Sequence, residues 1–338
     1  MKKILRLFSL ALPLFLLQQN VFAQNDNDNK NDNQKKYEFV KTKSVNKSYN
    51  VSSSDKLKID NSFGNVEIHT WNKNEIKVDI SIEVSSNIEA SAQKLIDGIT
   101  ISDSKNGGDI QFKTSIKGMD KDKDKSHNKD EKSTMKINYD ISMPASNPLQ
   151  VLNEFGKTIV PDFKGEVELT SKFGSLTTGT LSNSKAVNVE FGSAKIESTN
   201  GPVSIKYSSA EIGKLVGNVK LNLEFSSATK INIDNSLTGL DAKVSYSTVN
   251  FRPAGNLSAS YDISTSFGSF KNRTDIKFDG DDDKDDRGPK FDHNYNGKAG
   301  SGAVPVKIKS SFGKVILGEP GPEDMKDKEK NKSKTRTT

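Results

Sequence analysis

The sequence contains no cysteine, one tryptophan and three histidines among 338 residues. Without cysteine the chain cannot form disulfides or use a thiol nucleophile, so its stability must come from core packing and backbone pairing. His69, His127 and His293 lie far apart in sequence, which argues against a paired-histidine metal site. There is also no phosphate-binding glycine loop ending in Lys-Ser/Thr and no nucleophile elbow. These absences predict a protein that is not an enzyme and has no catalytic residues or organic cofactor.

The chain begins with a basic and then apolar segment. Lys2, Lys3 and Arg6 precede an apolar run from Leu7 to Leu17. This order is typical of a secretory signal peptide, here over residues 1–23. The apolar run is shorter than the roughly 20 residues that a membrane-spanning helix needs. The sequence therefore predicts an exported chain, in the periplasm or at the cell surface, with no membrane span in its mature form.

Four segments are rich in charged and amide side chains and poor in apolar ones. Residues 24–36 predict a disordered linker and residues 319–338 a disordered charged tail, because such segments bury too little apolar surface to offset the entropy of ordering. Residues 117–132 and 279–302 lie between strand-like segments, so they predict charged loops that project from a folded domain over 37–318. The net charge of +6 comes from interspersed acidic and basic residues, which predicts no nucleic-acid partner.

An aromatic residue followed by glycine or serine recurs through the predicted domain, as in EFGSA at Phe191 and KYSSA at Tyr207. From Phe155 onward the spacings are 18, 18, 16, 18, 21, 21 and 45 residues, and removing 279–302 returns the last to 21. Such a period is the sequence sign of a stacked repeat architecture. The set contains nine aromatics: Phe63, Phe155, Phe173, Phe191, Tyr207, Phe225, Tyr246, Phe267 and Phe312.

Each repeat has alternating apolar residues before the aromatic and an apolar or small residue three positions after it. The odd step requires a bend, which glycine or serine permits at low steric cost. We therefore predict an all-β, single-chain parallel β-solenoid of the β-helix type, with about 18 to 21 residues per coil. The nine aromatics would form an inward-facing structural ladder, so Phe173→Ala should cost about 3 to 5 kcal/mol of stability.

The residue before the aromatic alternates in charge over five successive repeats. In-register stacking would make these side chains nearest neighbours, with each opposite-charge pair contributing a few tenths of a kcal/mol. The five residues are Glu154, Lys172, Glu190, Lys206 and Glu224. We therefore predict that Glu190 lies beside both Lys172 and Lys206.

The N-terminal part contains further elements in a definite order. An SFGNVEI segment at Phe63 is followed by Trp71, by a helical pattern over 87–98 with Ser86 as its cap, and by a strand that ends at Pro144. We predict that the short helix caps one end of the stacked repeats.

This order of elements, followed by the FG-centred repeats, resembles the exported bacterial β-strand-repeat family of putative adhesins, a domain of unknown function related to adhesin head domains. The resemblance covers about residues 37–318. It implies a β-solenoid at the cell envelope or surface, and it brings no catalytic residue with it.

One acidic segment has metal-ligand spacing. Asp281, Asp283 and Asp285 match the first three ligands of a calcium loop, but Asp286 stands where a glycine should turn the chain. Calcium binding at this segment is therefore one hypothesis, and a solvated acidic loop is the other. Trp71 likewise has two interpretations, a packing residue near the end of the stack or a sugar-stacking aromatic.

The sequence thus predicts an exported, non-enzymatic contact module whose surface ligand is a glycan, a matrix protein or an envelope protein. A structural or stress-response component of the cell envelope is the first alternative. A carbohydrate-active enzyme of the β-helix type is the second, because the chain carries many outward carboxylates.

Overall fold

The structure is a computed structural model, and it describes residues 37–117, 131–280 and 291–321. Within these ranges the chain forms 22 strands and one helix. The predicted signal peptide 1–23, the linker 24–36, most of the loop 117–132 and nearly all of the tail 319–338 lie outside the described residues.

Nine strands and the helix form the first part of the fold. They are β1 (Phe39–Asn50), β2 (Lys56–Ser62), β3 (Val66–Trp71), β4 (Glu75–Ser86), α1 (Glu89–Gly98), β5 (Ile99–Asn106), β6 (Asp109–Ile116), β7 (Ser133–Pro144), β8 (Leu149–Glu154) and β9 (Lys157–Val160). The helix packs against β4 and β1 and buries Ala92 and Ile96.

Thirteen strands form the rest of the described chain. They are β10 (Phe163–Lys172), β11 (Ser175–Glu190), β12 (Ser193–Thr199), β13 (Val203–Lys206), β14 (Ser209–Glu224), β15 (Thr229–Ser245), β16 (Thr248–Pro253), β17 (Ala259–Ser266), β18 (Ser269–Arg273), β19 (Phe278–Gly280), β20 (Asp292–Lys298), β21 (Val304–Ser311) and β22 (Lys314–Gly318).

These segments form strands because apolar and polar residues alternate along them. In β10, for example, Val167 and Leu169 are buried while Glu168 and Thr170 between them are partly exposed. Period-two alternation places one set of side chains on the core face and the other in water. The inward residues of most strands join one hydrophobic core.

The short helix occurs where the sequence predicts it, but its cap differs. The helix begins at Glu89, with Ile88 as a cap residue that makes no side-chain capping bond. Ser86 instead accepts a hydrogen bond at its Oγ from the Ile88 amide, at 3.2 Å, and donates to the Lys132 carbonyl. Ser86, the last residue of β4, therefore connects the chain before the helix to the residue that precedes β7 rather than capping the first turn.

The repeats pair with one another in parallel. Lys172 of β10 lies opposite Glu190 of β11 and Glu154 of β8, and Lys206 of β13 lies opposite Glu190 and Glu224. Residues 16 or 18 positions apart are therefore hydrogen-bonded neighbours. This register brings the aromatic residues, which follow these positions directly, into one row.

The all-β class is confirmed, but the prediction of a single-chain parallel β-solenoid was wrong because the sheet is mixed. β4 is antiparallel to both β1 and β7, β5 is antiparallel to β6, and β20 is antiparallel to both β17 and β19. In addition, β11, β12, β14 and β13 pair as a closed ring of four strands. Sequence alternation could not reveal this, because parallel and antiparallel strands with one buried face share the same period.

The last two strands do not follow chain order in space. β21 pairs with β15 on one side and with β17 on the other, and β22 lies likewise between β16 and β18. The segment 304–318 is therefore inserted between two parts of the chain that precede it.

Candidate functional site: an exposed row of aromatic rings

The aromatic residue of each repeat has an unusual backbone conformation. All nine predicted aromatics have positive φ angles, between 49° and 65°. An L residue in this left-handed region costs roughly 1–2 kcal/mol relative to ordinary conformations. Backbone pairing holds the chain there: the Phe155 amide donates to the Lys172 carbonyl and the Phe173 amide to the Glu190 carbonyl, both at 2.9 Å. Each aromatic is therefore itself the corner between two strands.

This corner turns the ring outward, so the prediction that the ladder faces inward was wrong. Strand alternation alone would bury each ring, but the left-handed residue reverses the direction of its side chain. Eight of the nine predicted rings are 44% to 54% exposed, and Phe63 is partly exposed. The buried position passes to the residue three places on, such as Leu176 after Phe173.

The glycine after the aromatic is needed because the backbones of neighbouring repeats approach each other closely there, and not because the chain bends at that residue. A Cβ built on Gly174 would lie 1.9 Å from the Gly156 carbonyl oxygen, and one on Gly192 would lie 1.9 Å from that of Gly174. Contacts this short are not compatible with a side chain in the same backbone position. Where serine takes the place of glycine, its hydroxyl is used: Ser208 Oγ accepts from the Gly192 amide at 2.9 Å.

The rings stack in a single row that we call the aromatic ridge. Neighbouring centroids are 4.7 to 5.0 Å apart, and interplanar angles are 2° to 18°. Nine such steps give a length of roughly 44 Å. In spatial order the ridge contains ten residues: Phe63, Phe155, Phe173, Phe191, Tyr207, Phe225, Tyr246, Phe312, Phe267 and Phe291.

Two features of the ridge were missed from the sequence. Phe312 stacks between Tyr246 and Phe267, because β21 and β22 are inserted there. Phe291 extends the ridge beyond Phe267 at 4.8 Å, although it is followed by Asp292 rather than glycine or serine and lies in the predicted loop 279–302. Only the spatial neighbourhood identifies Phe291 as a member.

The ridge exposes ring edges and covers ring faces. Each inner ring has another ring on both faces at stacking distance, as Phe191 has Phe173 and Tyr207 at 4.9 and 4.8 Å. The exposed surface is therefore an apolar line of ring edges, with the phenol groups of Tyr207 and Tyr246 within it. A sugar ring, which stacks on an aromatic face, finds no free face along the inner part of this line.

Charged residues form a row along one side of the ridge. The preceding row consists of the residues before the aromatics: Glu154, Lys172, Glu190, Lys206 and Glu224. Lys172 Nζ lies 4.0 Å from Glu154 and 3.9 Å from Glu190, and Lys206 Nζ lies 3.2 Å from Glu224. These side chains are about one-third exposed, so each pair contributes only a few tenths of a kcal/mol.

A shallow depression runs along the other side of the ridge. The serine groove is formed by Ser175, Ser193 and Ser209, which are paired neighbours two residues after their aromatics, and its volume is about 350 Å³. The far side of the groove is lined by the following row, Lys195, Glu211 and Lys230, in which each residue lies opposite the next on the adjacent strand. All three of these charged residues are exposed.

The other predicted sites do not come together with the ridge. His69 is exposed, with Nε2 3.7 Å from Glu67 and 3.6 Å from Asp140. His293 lies in β20 beside Tyr295, with ring centroids 6.3 Å apart. Among the described residues no cluster of histidine and carboxylate side chains is suited to hold a metal ion. Asp281, Asp283, Asp285 and His127 lie outside the described residues.

Trp71 is the last residue of β3, next to the turn into β4. Its indole nitrogen donates to the Glu75 carbonyl at 2.7 Å, and Lys73 Nζ lies over the ring, 4.6 Å from the centroid. One face of the ring is thus covered by a cation and its polar edge is used within the turn. These contacts suit a packing residue, but Trp71 also lines a surface depression of about 340 Å³ with Pro144 and Lys164, so both interpretations stay predictions.

Comparison with known proteins gives only distant matches. No family model and no curated protein matches the chain, so the family resemblance stays a prediction. A putative adhesin from Bacteroides fragilis has 14% identity and a TM-score of 0.42, with 81% of this chain and 97% of that chain covered.

Two further solved structures are similarly distant. A putative cell adhesion protein from Clostridium sporogenes has 15% identity and a TM-score of 0.28, covering 83% of this chain and 100% of its own. A putative lipid binding protein from Parabacteroides distasonis has 8% identity and a TM-score of 0.30, and the match covers 82% of this chain and 97% of that chain. At these values the likeness establishes neither a shared family nor a shared function.

Among the described residues no helix has the length and apolar character of a membrane span.

Proposed function

We propose that this chain is an exported, non-enzymatic contact module that binds a macromolecular surface of the cell envelope through the aromatic ridge. The observation that carries the proposal is the ridge itself, ten stacked aromatic rings of which nine are about half exposed.

The size of the exposed apolar surface supports an interaction role. A phenylalanine or tyrosine side chain has about 200 Å² of surface, so half-exposed rings leave about 100 Å² each and the ridge about 1,000 Å². The largest apolar patch on an ordinary soluble monomer is about 300–600 Å². Exposing this much aromatic surface is unfavourable in water, and contact with a partner would remove the cost.

The exposure of ring edges rather than ring faces favours a protein surface as the partner. Glycan recognition by aromatic residues uses ring faces, and the inner rings of the ridge have neighbours on both faces. Ring edges suit close packing against apolar side chains instead. The preceding row and the following row give this apolar line a charged rim, which is the usual arrangement of a protein–protein interface.

The carboxyl groups with shifted pKa values lie at ion pairs and hydrogen bonds on the surface. Among the described carboxyls with shifted pKa values, the side-chain hydrogen bond from Lys77 lowers the pKa of Asp79, and the hydrogen bond from Tyr49 lowers that of Asp103. Lowered pKa values of this kind are usual for carboxylates that accept hydrogen bonds or form ion pairs. The absence of catalysis is proposed from the sequence motifs alone. Export rests on the predicted signal peptide.

Binding to cell envelopes tests the proposal. We expect the purified mature chain to bind isolated envelopes of the source cells, and Phe191→Asn with Tyr207→Asn to weaken this binding at least about tenfold. Asparagine tolerates left-handed φ, so the exchange removes apolar ring surface with little backbone strain.

The matched control is Ser204→Asn, a partly exposed serine on strand β13 between the same two repeats. Equal weakening by the control, or unchanged binding by the ridge variant, would contradict the proposal. Resistance of the chain to protease added to intact cells would favour the alternative of a periplasmic structural component.

A further inference from the structure

We infer that the partner of the aromatic ridge is a second copy of this chain, packed so that the ridge of each copy lies in the serine groove of the other. This inference rests on the proposed contact role of the ridge. It would make the contact homophilic, between like molecules.

The ridge and the groove are suited to each other in shape. The ridge is formed by the aromatic residue of each repeat, and the groove is formed by the residue two positions later. The two features therefore run side by side along the stacked repeats. The groove has small residues next to the ridge, including Ser193 and Ser209, and the charged residues of the following row on its far side, so its near side can receive ring edges. A two-fold axis parallel to the ridge places each ridge over the partner's groove and keeps each repeat level with its counterpart.

The charged rows are complementary in that same arrangement. The two-fold axis brings the preceding row of one copy over the following row of the other, at the same repeat. Glu190 then meets Lys195, Lys206 meets Glu211, and Glu224 meets Lys230 of the second copy. All three matches are of opposite sign, and symmetry doubles them to six.

The following row has unused charge for such pairing. No salt bridge to Lys195, Glu211 or Lys230 is formed within 37–117, 131–280 and 291–321, and the exposure of all three leaves them accessible. Opposite charges at matched positions favour the correct register and penalise a shift by one repeat, where like charges would meet.

The contact area is adequate for a stable pair. The groove runs beside four rings, those of Phe173, Phe191, Tyr207 and Phe225, which offer about 400 Å² per copy. The partner's four rings cover a similar area of the groove, so each copy buries about 800 Å², the size of a stable protein interface. An antiparallel ridge-on-ridge arrangement would touch only along lines of ring edges and leave both grooves empty. The ridge-in-groove arrangement buries more of the same surface.

Self-association of the purified mature chain tests the inference. We expect sedimentation equilibrium to show a reversible dimer over about 1 to 100 µM, the range in which an interface of moderate size dissociates. Ser193→Arg, which fills the groove, should raise the dissociation constant at least about tenfold. Ser204→Arg, outside the groove, is the matched control and should leave it unchanged.

A charge exchange between two variants gives a sharper test. Glu190→Lys alone and Lys195→Glu alone each place like charges at both symmetry-related contacts, so each should dimerise at least about tenfold more weakly. An equimolar mixture restores opposite charges at both contacts, so heterodimers should form with nearly the original affinity. A folding defect within either variant would not be repaired by mixing.

A wild-type chain that stays monomeric at 100 µM, or variants that mixing does not rescue, would overturn the inference. If the chain is monomeric but the ridge variants lose envelope binding, the proposed contact function is supported and the inference of a second copy as partner is contradicted. If the dimer forms as inferred but envelopes are not bound, the reverse holds.

Discussion

At Phe173 the backbone φ is 53°, the ring is 48% exposed, and rings lie on both of its faces at 4.9 Å. Three effects therefore compete at this one residue. The left-handed conformation is unfavourable by roughly 1–2 kcal/mol, whereas stacking and partial burial of the ring are favourable. Because only half of the ring is removed from water, its contribution is smaller than that of a core phenylalanine.

We expect Phe173→Ala to lower the free energy of unfolding by about 2 kcal/mol, since about 100 Å² of buried ring surface is lost. This value replaces the larger cost expected for an inward ring. Phe173→Gly loses the same ring but relieves the left-handed strain, so it should cost only about 1 kcal/mol.

Urea unfolding measures the free energy of unfolding of the alanine and glycine variants. Leu169→Ala, at a fully buried position, is the reference and should cost about 3 kcal/mol. Glycine is ordinarily worse than alanine in a strand. A glycine variant less stable than the alanine variant would therefore contradict the account of strain at this corner.

Among the elements, β21 has the most consequential position, because it lies between β15 and β17. Ile308 in this strand is fully buried and is paired with Ala242 on one side and Ile263 on the other. The strands from β15 to β18 can therefore complete their pairing only after residues 304–318 have been added. Contacts between distant segments of this kind form late, because closing the chain between them costs entropy first.

We expect Ile308→Asp to destabilise the C-terminal strands selectively, because it places an unpaired carboxylate in the apolar core. Amide hydrogen exchange should show lost protection in β17 and β18, while β2 and β8 remain protected. Lys309→Asp is the matched control, an exposed residue of the same strand with the same new side chain. Protection retained in β17 of the Ile308 variant would contradict the inserted position of β21.

For the molecule as a whole, three tyrosines connect stability to alkaline pH. Burial raises the pKa of Tyr49, Tyr139 and Tyr261 to about 12, and the hydrogen bond to Asp103 adds to the effect at Tyr49. A raised folded-state pKa means that the folded state favours the protonated phenol. This contribution is fully present below pH 10, the ordinary tyrosine pKa, and is lost as the pH rises toward 12.

We therefore expect the unfolding temperature to fall between pH 10 and pH 12, together with the appearance of phenolate absorbance. Tyr261→Phe should make this fall shallower. The Tyr261 hydroxyl is buried with no hydrogen-bond partner among the described residues, so its removal should not lower stability at neutral pH. An unchanged alkaline profile in this variant would show that Tyr261 does not titrate with unfolding.

Much of the candidate site could be recognised in the sequence before any coordinates. The spacing of Phe155, Phe173 and Phe191 identifies residues that are stacked in space, and the charge alternation at Lys172 and Glu190 identifies side-by-side neighbours. These relations follow from the period, because parallel in-register pairing maps a fixed sequence step onto one strand spacing. Phe291 could not be predicted as a member because it stacks on Phe267 in space but has no counterpart in the sequence repeat.

The sequence by itself determined which residues alternate between core and surface, which aromatics share a row, and where the short helix lies. Only the tertiary structure decided that the rings face outward, that 304–318 is inserted, and that several strand pairs are antiparallel. The physical reason is the same in each case. Alternation and period are local properties of the chain, whereas a left-handed corner, a strand direction and a strand order are selected by hydrogen-bond partners that are distant in sequence.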